Sequence, residues 1–349
     1  MSKNLIFLLI ITLIVACSEK EDLAPDTIKI NRGGIFIVNE RNFSFANSSL
    51  SYFNPSNSEI QNNLFYKVSN VPLGDVAQSI TIHENEVYLV INNSGIVYGV
   101  NRETLEFKGK ISGLTSPREM IFINDNKAYI SDLISTKLTV INPASYEIIG
   151  KIELGKSSDC MIKTNNKVMT ANWSAYNQTT INNTVMVINS DTDKLVDSVV
   201  VGIEPNSMVI DKNNYLWVLC SGGFMNSELP TLWKINTGTL ETEKQFTFTN
   251  IAQSPDNLCI NGNSDSLYFL NNSVFRMSIY DQSLPETAII SEEENNYYSL
   301  GIDPINNDIY VSDAIDYNQN GIVYRYNSSG NYISSTGVGI IPGCFGFNY

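Results

Sequence analysis

The stretch V-A-Q-S-I-T-I (76–82) is a short apolar phrase that returns six more times along the chain. The equivalents lie at 117–123, 158–164, 205–211, 255–261, 297–303 and 342–348. Their central residues, at 79, 120, 161, 208, 258, 300 and 345, are 41 to 50 residues apart. A tight Asn/Asp turn and a second strand follow most of these phrases. A repeat of this length, built from strands without helical spacing, predicts an all-β fold, a β-propeller with four antiparallel strands per blade.

The two ends of the repeat region complement each other. The stretch G-I-F-I-V-N-E (34–40) runs directly into a second-strand phrase, whereas C-F-G-F-N-Y (344–349) is a first-strand phrase with no strand after it. We therefore predict seven blades, with the C-terminal strand joining the N-terminal blade. Such closure removes the exposed edges of an open sheet.

Length alone would suggest about two domains, but the repeat predicts a single propeller over residues 33–349. The composition agrees, with 43% hydrophobic residues, 18 Tyr and 15 Phe. Alternating apolar and polar residues in stretches such as K-A-Y-I-S-D (127–132) and D-I-Y-V-S-D (308–313) are typical of strands.

The N-terminal residues have the features of a targeting segment. A charged start is followed by an apolar run at 5–15, and I-V-A-C (14–17) resembles a bacterial lipobox. We predict a signal peptide at 1–16, lipidation of Cys17 and a lipidated tether at 17–32. An ordinary secretory signal is the alternative. The acidic stretch 18–22 resembles the tag of surface-exposed lipoproteins, which favours a location on the outer membrane, facing the medium.

Charge and cysteine content narrow the function classes. The net charge of −14 argues against nucleic-acid binding, because no basic patch is available to replace phosphate counterions. Beyond Cys17, the cysteines are Cys160, Cys220, Cys259 and Cys344, and no C-x-x-C is present. Neither a zinc site nor a disulfide framework follows, and small buried thiols are expected.

In a propeller, the loops that enter the innermost strands and leave the second strands share one face, around the mouth of the central channel. Segments 40–43, 172–183, 221–230 and 313–321 are expected there, and Glu119 and Asp256 lie in first-strand phrases that begin there. Long loops at such a place are often functional. The candidate ligand-binding residues are Arg41, Asn42, Phe43, Asp75, Gln78, Asn93, Arg118, Asp132, Asp159, Asn172, Trp173, Tyr176, Asn206, Phe224, Asn272, Tyr298, Asp313, Asp316 and Tyr317.

These candidates combine aromatic rings with neutral amides. Rings could hold a broad flat ligand by its apolar faces, while Asn and Gln groups satisfy its polar edges. A sugar or an amide-decorated macrocycle has suitable chemistry. For any single Asn, a role in forming a turn is the competing interpretation.

Three sharper signals have simpler interpretations. Asp316 to Gly321 matches the opening of a calcium loop, but Asn327 stands at the twelfth position, where an EF-hand needs Glu, so a turn is expected and no metal is assigned. His83, the single histidine, is expected as a solvated turn residue on the face opposite the mouth. Arg118 could orient a carboxylate or phosphate, or form a salt bridge between blades.

The chain resembles a known group in an ordered set of phrases. These are V-P-L-G-D-V-A-Q-S (71–79), S-P-R-E-M (116–120), L-W-V-L-C-S-G-G (216–223), D-I-Y-V-S-D (308–313) and G-I-x-P-G-x-F (339–345). They resemble the YncE-like (YVTN-repeat-type) surface propeller lipoproteins of Bacteroidetes, a group that includes the BtuG-type cobalamin-binding proteins. The resemblance implies a propeller that captures a corrinoid and passes it to a TonB-dependent outer-membrane transporter.

The favoured hypothesis is a surface lipoprotein that captures a small nutrient, in particular cobalamin or another corrinoid. It would not be an enzyme and would need no cofactor of its own. Two alternatives stay open. One is a propeller enzyme of lactonase or lyase type, with carboxylates from Asp75, Glu119, Asp159 and Asp256. The other is an adhesion or protein-interaction scaffold.

Overall fold

Short strands dominate the structure, a computed structural model that describes residues 28–173 and 181–349. Blade I begins with β1 (Gly34–Asn39), β2 (Ser49–Asn54) and β3 (Glu59–Gln61), and a short helix α1 (Leu64–Ser69) follows it. Blade II is β4 (Ala77–His83), β5 (Glu86–Ile91), β6 (Ile96–Asn101) and β7 (Phe107–Ser112). Blade III is β8 (Pro117–Asn124), β9 (Lys127–Asp132), β10 (Lys137–Asn142) and β11 (Glu147–Glu153).

The other blades repeat this order. Blade IV is β12 (Met161–Thr164), β13 (Lys167–Ala171), β14 (Thr184–Asn189) and β15 (Lys194–Val200). Blade V is β16 (Pro205–Ile210), β17 (Tyr215–Cys220), β18 (Thr231–Asn236) and β19 (Thr242–Thr247). Blade VI is β20 (Asp256–Ile260), β21 (Ser266–Asn271) and β22 (Ser273–Ser278). Blade VII is β23 (Tyr297–Ile302), β24 (Ile309–Asp313), β25 (Asn320–Tyr326) and β26 (Tyr332–Ile340), and β27 (Pro342–Asn348) ends the chain.

The strands form seven antiparallel sheets, which confirms the predicted seven-bladed propeller. Six of the sheets have four strands, and the sheet of blade VI has three among the described residues. Where the other blades have a fourth, outermost strand, blade VI has a single isolated β-bridge between Val274 and Ile290. Pro285 interrupts the segment that leads to this bridge, and proline cannot donate a ladder hydrogen bond.

The ring closes through blade I, as the two chain ends predicted. Strand β27 is the innermost strand of blade I and pairs with β1, with Ile35 opposite Phe347 and Ile37 opposite Phe345. The Arg102 side chain, from the turn after β6, donates hydrogen bonds to Asn348 and to the main-chain oxygen of Tyr349. Blade II therefore also holds the last strand.

Apolar side chains fill the space between neighbouring blades. One cluster, for example, joins Tyr88 and Val90 of blade II to Met120 and Ile130 of blade III. The helix α1 was not anticipated, since the sequence shows no extended helical spacing. It buries Leu64 and Phe65 against blades I and II.

The two faces of the ring differ in what they carry. We call the side where loops enter the innermost strands the mouth face, and the other side the tether face. Ile30 donates its N–H to the Glu103 carbonyl at 2.6 Å, and Arg32 donates to Asn85 at 3.4 Å. Both partners lie in turns of the tether face, so the N-terminal segment joins the ring opposite the mouth.

Two further features bear on the sequence predictions. No helix in the described ranges has the length and apolar character needed to cross a membrane. Cys160, Cys220, Cys259 and Cys344 are free thiols. Cys17 lies outside the described residues.

Candidate functional site

A cavity of about 490 Å³ opens at the mouth face, where the innermost strands converge. We call it the mouth cavity. Every blade contributes to its wall, which is lined by Glu40, Gln78, Ser79, Arg118, Glu119, Asp159, Cys160, Trp173, Asn206, Ser207, Met208, Ser221, Gly223, Phe224, Ser254, Asp256, Asn257, Leu258, Cys259, Tyr298, Gly343 and Cys344. A concave site with convergent polar groups is the usual form of a small-molecule site.

The mouth cavity continues into an apolar lower channel of about 310 Å³. Leu258, Cys259 and Cys344 belong to both walls. Further down, the wall is made of Leu300, Ile302, Phe345 and Phe347, among others. Charged side chains of the two walls therefore lie at the mouth, and Asn257 is shared by both walls.

Among the described residues, Arg118 is the one basic side chain in the wall of the mouth cavity. Its Nε donates to Asp159 Oδ1 at 2.8 Å, and its Nη1 donates to the Gln78 side chain. The guanidinium carbon lies 5.2 Å from the centre of the Trp173 ring, a cation–π distance. Arg118 thus joins blades II, III and IV, and the predicted salt bridge between blades is present.

The carboxyl groups of the mouth cavity outnumber its cation. Glu40 accepts a hydrogen bond from the Tyr298 hydroxyl at 3.0 Å, and Glu119 accepts one from the Met161 N–H at 2.7 Å. Burial raises the pKa of Glu40 to about 7 and, together with the nearby Asp159 charge, that of Glu119 to about 7. Burial also raises the pKa of Asp256 to about 6. Glu40 and Glu119 therefore gain and lose protons near neutral pH, and a nearby cation or N–H donor favours their ionised form.

Three of the four described thiols lie in the wall. Burial raises the pKa of Cys259 and of Cys344 to about 12, and raises the pKa of Cys160 well above its usual value. The thiols are therefore neutral at physiological pH. They are poor nucleophiles, because the thiolate is the reactive form.

Aromatic rings border the mouth cavity. The Trp173 and Phe224 ring centres lie 5.7 Å apart, and Phe224 is 58% exposed. On the other side, Tyr298 meets Tyr317 edge-on at 5.9 Å. This rim offers apolar faces to a ligand that lies across the opening.

Seven of the candidate residues meet in the mouth cavity, namely Gln78, Arg118, Asp159, Trp173, Asn206, Phe224 and Tyr298. Eleven candidates lie outside its wall, namely Arg41, Asn42, Phe43, Asp75, Asn93, Asp132, Asn172, Asn272, Asp313, Asp316 and Tyr317. Tyr176 lies outside the described residues. Tyr317 stays close to the rim through Tyr298.

Several acidic candidates hold loops in place instead. Asp132 accepts N–H groups of residues 115, 116, 134 and 135, so its carboxylate ties two loops together. Asp75 accepts from Ser44 and Asn93. Asp313 accepts two backbone N–H groups in the same way. Asp316 accepts the N–H groups of residues 318 and 319, which is the turn expected in place of a calcium loop.

His83 lies on the tether face, as predicted, but it is not a solvated turn residue. It is the last residue of β4, and its side chain is 30% exposed. The imidazole stacks on the Phe122 ring with centres 3.8 Å apart. Packing between neighbouring innermost strands covers it.

Several wall residues were not among the candidate ligand-binding residues predicted from the sequence, and strand geometry explains why. The strand register slips where the innermost strand begins, between Pro117 and Met120, between Pro205 and Ser207, and between Asp256 and Cys259, for example. A β-bulge of this kind turns consecutive side chains toward the same side. In most blades, both of the residues that directly precede the central residue of the phrase therefore line the cavity. The second of these two positions holds Glu119, Cys160, Ser207, Asn257 and Cys344.

Comparisons with known proteins agree with this architecture. The family model described as a domain of unknown function (DUF5074) matches residues 33–340. The chain belongs to this family. No curated protein is significantly similar in sequence.

Solved structures share the fold at low identity. A quinonprotein alcohol dehydrogenase-like protein from Bacteroides thetaiotaomicron has a TM-score of 0.69 at 12% identity, covering 91% of this chain and 78% of its own. Apo AztD from Citrobacter koseri has a TM-score of 0.57 at 7% identity, covering 89% and 96%. The dihydro-heme d1 dehydrogenase NirN, in complex with DHE, has a TM-score of 0.61 at 8% identity, covering 92% and 77%. At such identities the likeness concerns the fold alone.

Proposed function

We propose that this member of the DUF5074 family is a binding protein that captures a small ligand in the mouth cavity. One observation carries the proposal: every blade contributes to a 490 Å³ cavity that joins hydrogen-bonding groups to an aromatic rim. Arg118 and Glu119 of β8 and Glu40 of the loop after β1 face one open space. Most small-molecule sites have this mixture of apolar walls and few polar groups.

The more specific proposal is a corrinoid ligand, such as cobalamin. The flat ring would lie against Trp173 and Phe224, and its amide arms would donate N–H groups to Glu40, Glu119 and Asp256. The resemblance to YncE-like lipoproteins supports this choice. The solved complex of NirN with DHE shows that a ligand can be bound by a protein of related fold. The mouth cavity has no histidine, so recognition would not use an axial histidine from its wall.

Location and partner are proposed from the sequence together with the position of the N-terminus. A lipid on Cys17 would leave eleven residues before the described Ile28, a reach of at most about 40 Å. The chain joins the tether face, so the mouth would open to the medium for capture. Transfer to a TonB-dependent transporter would follow when the ring tilts on its tether.

An enzyme of lactonase or lyase type is the second candidate, favoured by one observation. Glu40 and Glu119 have pKa values of about 7, the range that suits a general acid or base at neutral pH. Asp75, which the sequence placed in this set, lies outside the wall. We place binding first because the thiols are neutral and the wall offers no imidazole.

Isothermal titration of the purified protein with cyanocobalamin and with cobinamide tests the proposal. We expect saturable binding that weakens at least tenfold in Trp173→Ala and does not change in Phe43→Ala, an exposed aromatic on the same face but outside the wall. Absence of binding at micromolar protein would remove the corrinoid. Turnover in a lactone screen that is lost in Glu119→Gln would favour the enzyme.

A further inference from the structure

The tether face brings the single imidazole of the chain together with two carboxylates. His83 Nε2 lies 3.1 Å from Asp125 Oδ1. One ligand atom from each of His83, Glu84 and Asp125 falls within 4.8 Å of the other two. Imidazole and carboxylate are ligands that first-row divalent transition ions accept together.

The imidazole is held in position before any ion arrives. It stacks on Phe122 with an interplanar angle of 11°, and His83 is paired with Glu86 in the ladder between β4 and β5. Asp125 lies in the turn between β8 and β9. Ligands fixed by neighbouring groups lose little conformational entropy on binding, which favours affinity.

The spacing of the ligand atoms suits one ion. Zinc bonds to nitrogen and oxygen ligands are about 2.0–2.2 Å long. Two such ligands lie about 3.0 Å apart at a right angle and about 3.4 Å apart in a tetrahedron. The 3.1 Å between His83 and Asp125 falls between these values, so these two ligand atoms already have the separation that one ion requires. The exposed Glu84 side chain lies within reach to complete the set.

We propose that His83, Glu84 and Asp125 form a binding site for a divalent transition ion of the zinc type. The ion joins the first hairpin turn of blade II to that of blade III. Next to it, Arg102 donates to the Glu84 carbonyl and holds Asn348. The ion therefore joins blades II and III beside the Arg102 contacts that hold the last strand, a role independent of the mouth ligand.

A plain hydrogen bond between His83 and Asp125 is the rival explanation, and NMR separates the two. Because the chain has one histidine, protein purified without a histidine tag gives one set of imidazole resonances. After EDTA treatment and dialysis, Zn²⁺ titration should shift that set with 1:1 saturation in the micromolar range. The melting temperature should rise with Zn²⁺ in the same samples.

Variants show whether the carboxylates take part. The double variant Glu84→Gln, Asp125→Asn should bind Zn²⁺ at least tenfold more weakly, whereas Glu103→Gln, a carboxylate change in a nearby turn of the same face, should bind as the wild type does. Imidazole resonances that stay unmoved at millimolar Zn²⁺ would overturn the proposal. Equal affinity in the double variant would also overturn it, because a lone imidazole would then explain the binding.

Discussion

Replacing Glu119 with glutamine should stabilise the protein at alkaline pH and have little effect at acid pH. The folded-state pKa of Glu119 is about 7 against an ordinary value of 4.5. Between these values the folded state holds a proton that the unfolded state has released. The contribution of Glu119 to the free energy of unfolding is therefore largest below pH 4.5 and falls as the pH rises toward and through 7.

The size of the effect follows from this difference. A shift from 4.5 to about 7 is worth about 3 kcal/mol in total. Most of it, about 2 to 3 kcal/mol, falls between pH 5 and pH 8, because the unfolded carboxyl is already partly ionised at pH 5. Glutamine has no charge to bury, and its side-chain oxygen can still accept the Met161 N–H. Relative to the wild type, the free energy of unfolding of the variant should therefore rise by about that amount between pH 5 and pH 8.

Urea unfolding at pH 5, 6, 7 and 8 measures the effect. Wild-type stability should decline across the series, with Glu40 and Asp256 adding to the decline because their pKa values are also raised. Glu153→Gln is the matched control. Its pKa is lowered by hydrogen bonds from Lys137 and Thr136, so it is ionised throughout. A variant-to-wild-type difference that is constant from pH 5 to pH 8 would refute the reasoning.

Two substitutions and one reactivity measurement test the fold and the thiols. Phe347→Ala removes a partly buried β27 ring that lies 6.0 Å from Tyr310, and it should lower the free energy of unfolding by about 1–2 kcal/mol in urea titrations; an unchanged midpoint would contradict closure by β27. In the wild type, Trp217 Nε1–H donates a 2.9 Å hydrogen bond to the Asp211 carboxylate inside blade V. Asp211→Ala removes the acceptor and leaves this N–H unpaired. A loss of about 2 kcal/mol is expected, whereas a loss below 0.5 kcal/mol would argue against this bond. The native thiols should react with Ellman's reagent at pH 8 far more slowly than those of the urea-unfolded protein, since burial raises their pKa values; equal rates would contradict a protonated, shielded state.

The repeat was informative about the ring because each blade is a local unit. Strands that follow one another in the chain pair with one another, so the phrase around Ser79 and its relatives predicted the innermost strands within a few residues. Closure by β27 could be predicted too, because the two ends lacked complementary strands. The repeat length did not reveal that blade VI has three strands, because the central residues Leu258 and Leu300 are separated in sequence by a length within the range of the other blades.

The candidate site was only partly predictable. Topology placed Arg118, Asp159, Asn206 and Tyr298 at the mouth, and they line the cavity. The same topology could not show that the Asp132 carboxylate accepts hydrogen bonds from backbone N–H groups. Whether an Asp faces a ligand or a loop depends on which N–H groups the neighbouring turn leaves unpaired, and that is set by the folded backbone.

The sequence by itself determined the number of blades, the strand order and the way the ring closes. These follow from pairings between strands that are near in sequence or complementary at the chain ends. Only the tertiary structure decided which side chains meet at the axis, because a bulge where several innermost strands begin turns two consecutive residues inward where simple alternation would send one away. It also decided the protonation of Glu40 and Glu119, since burial by residues from other blades raises their pKa values.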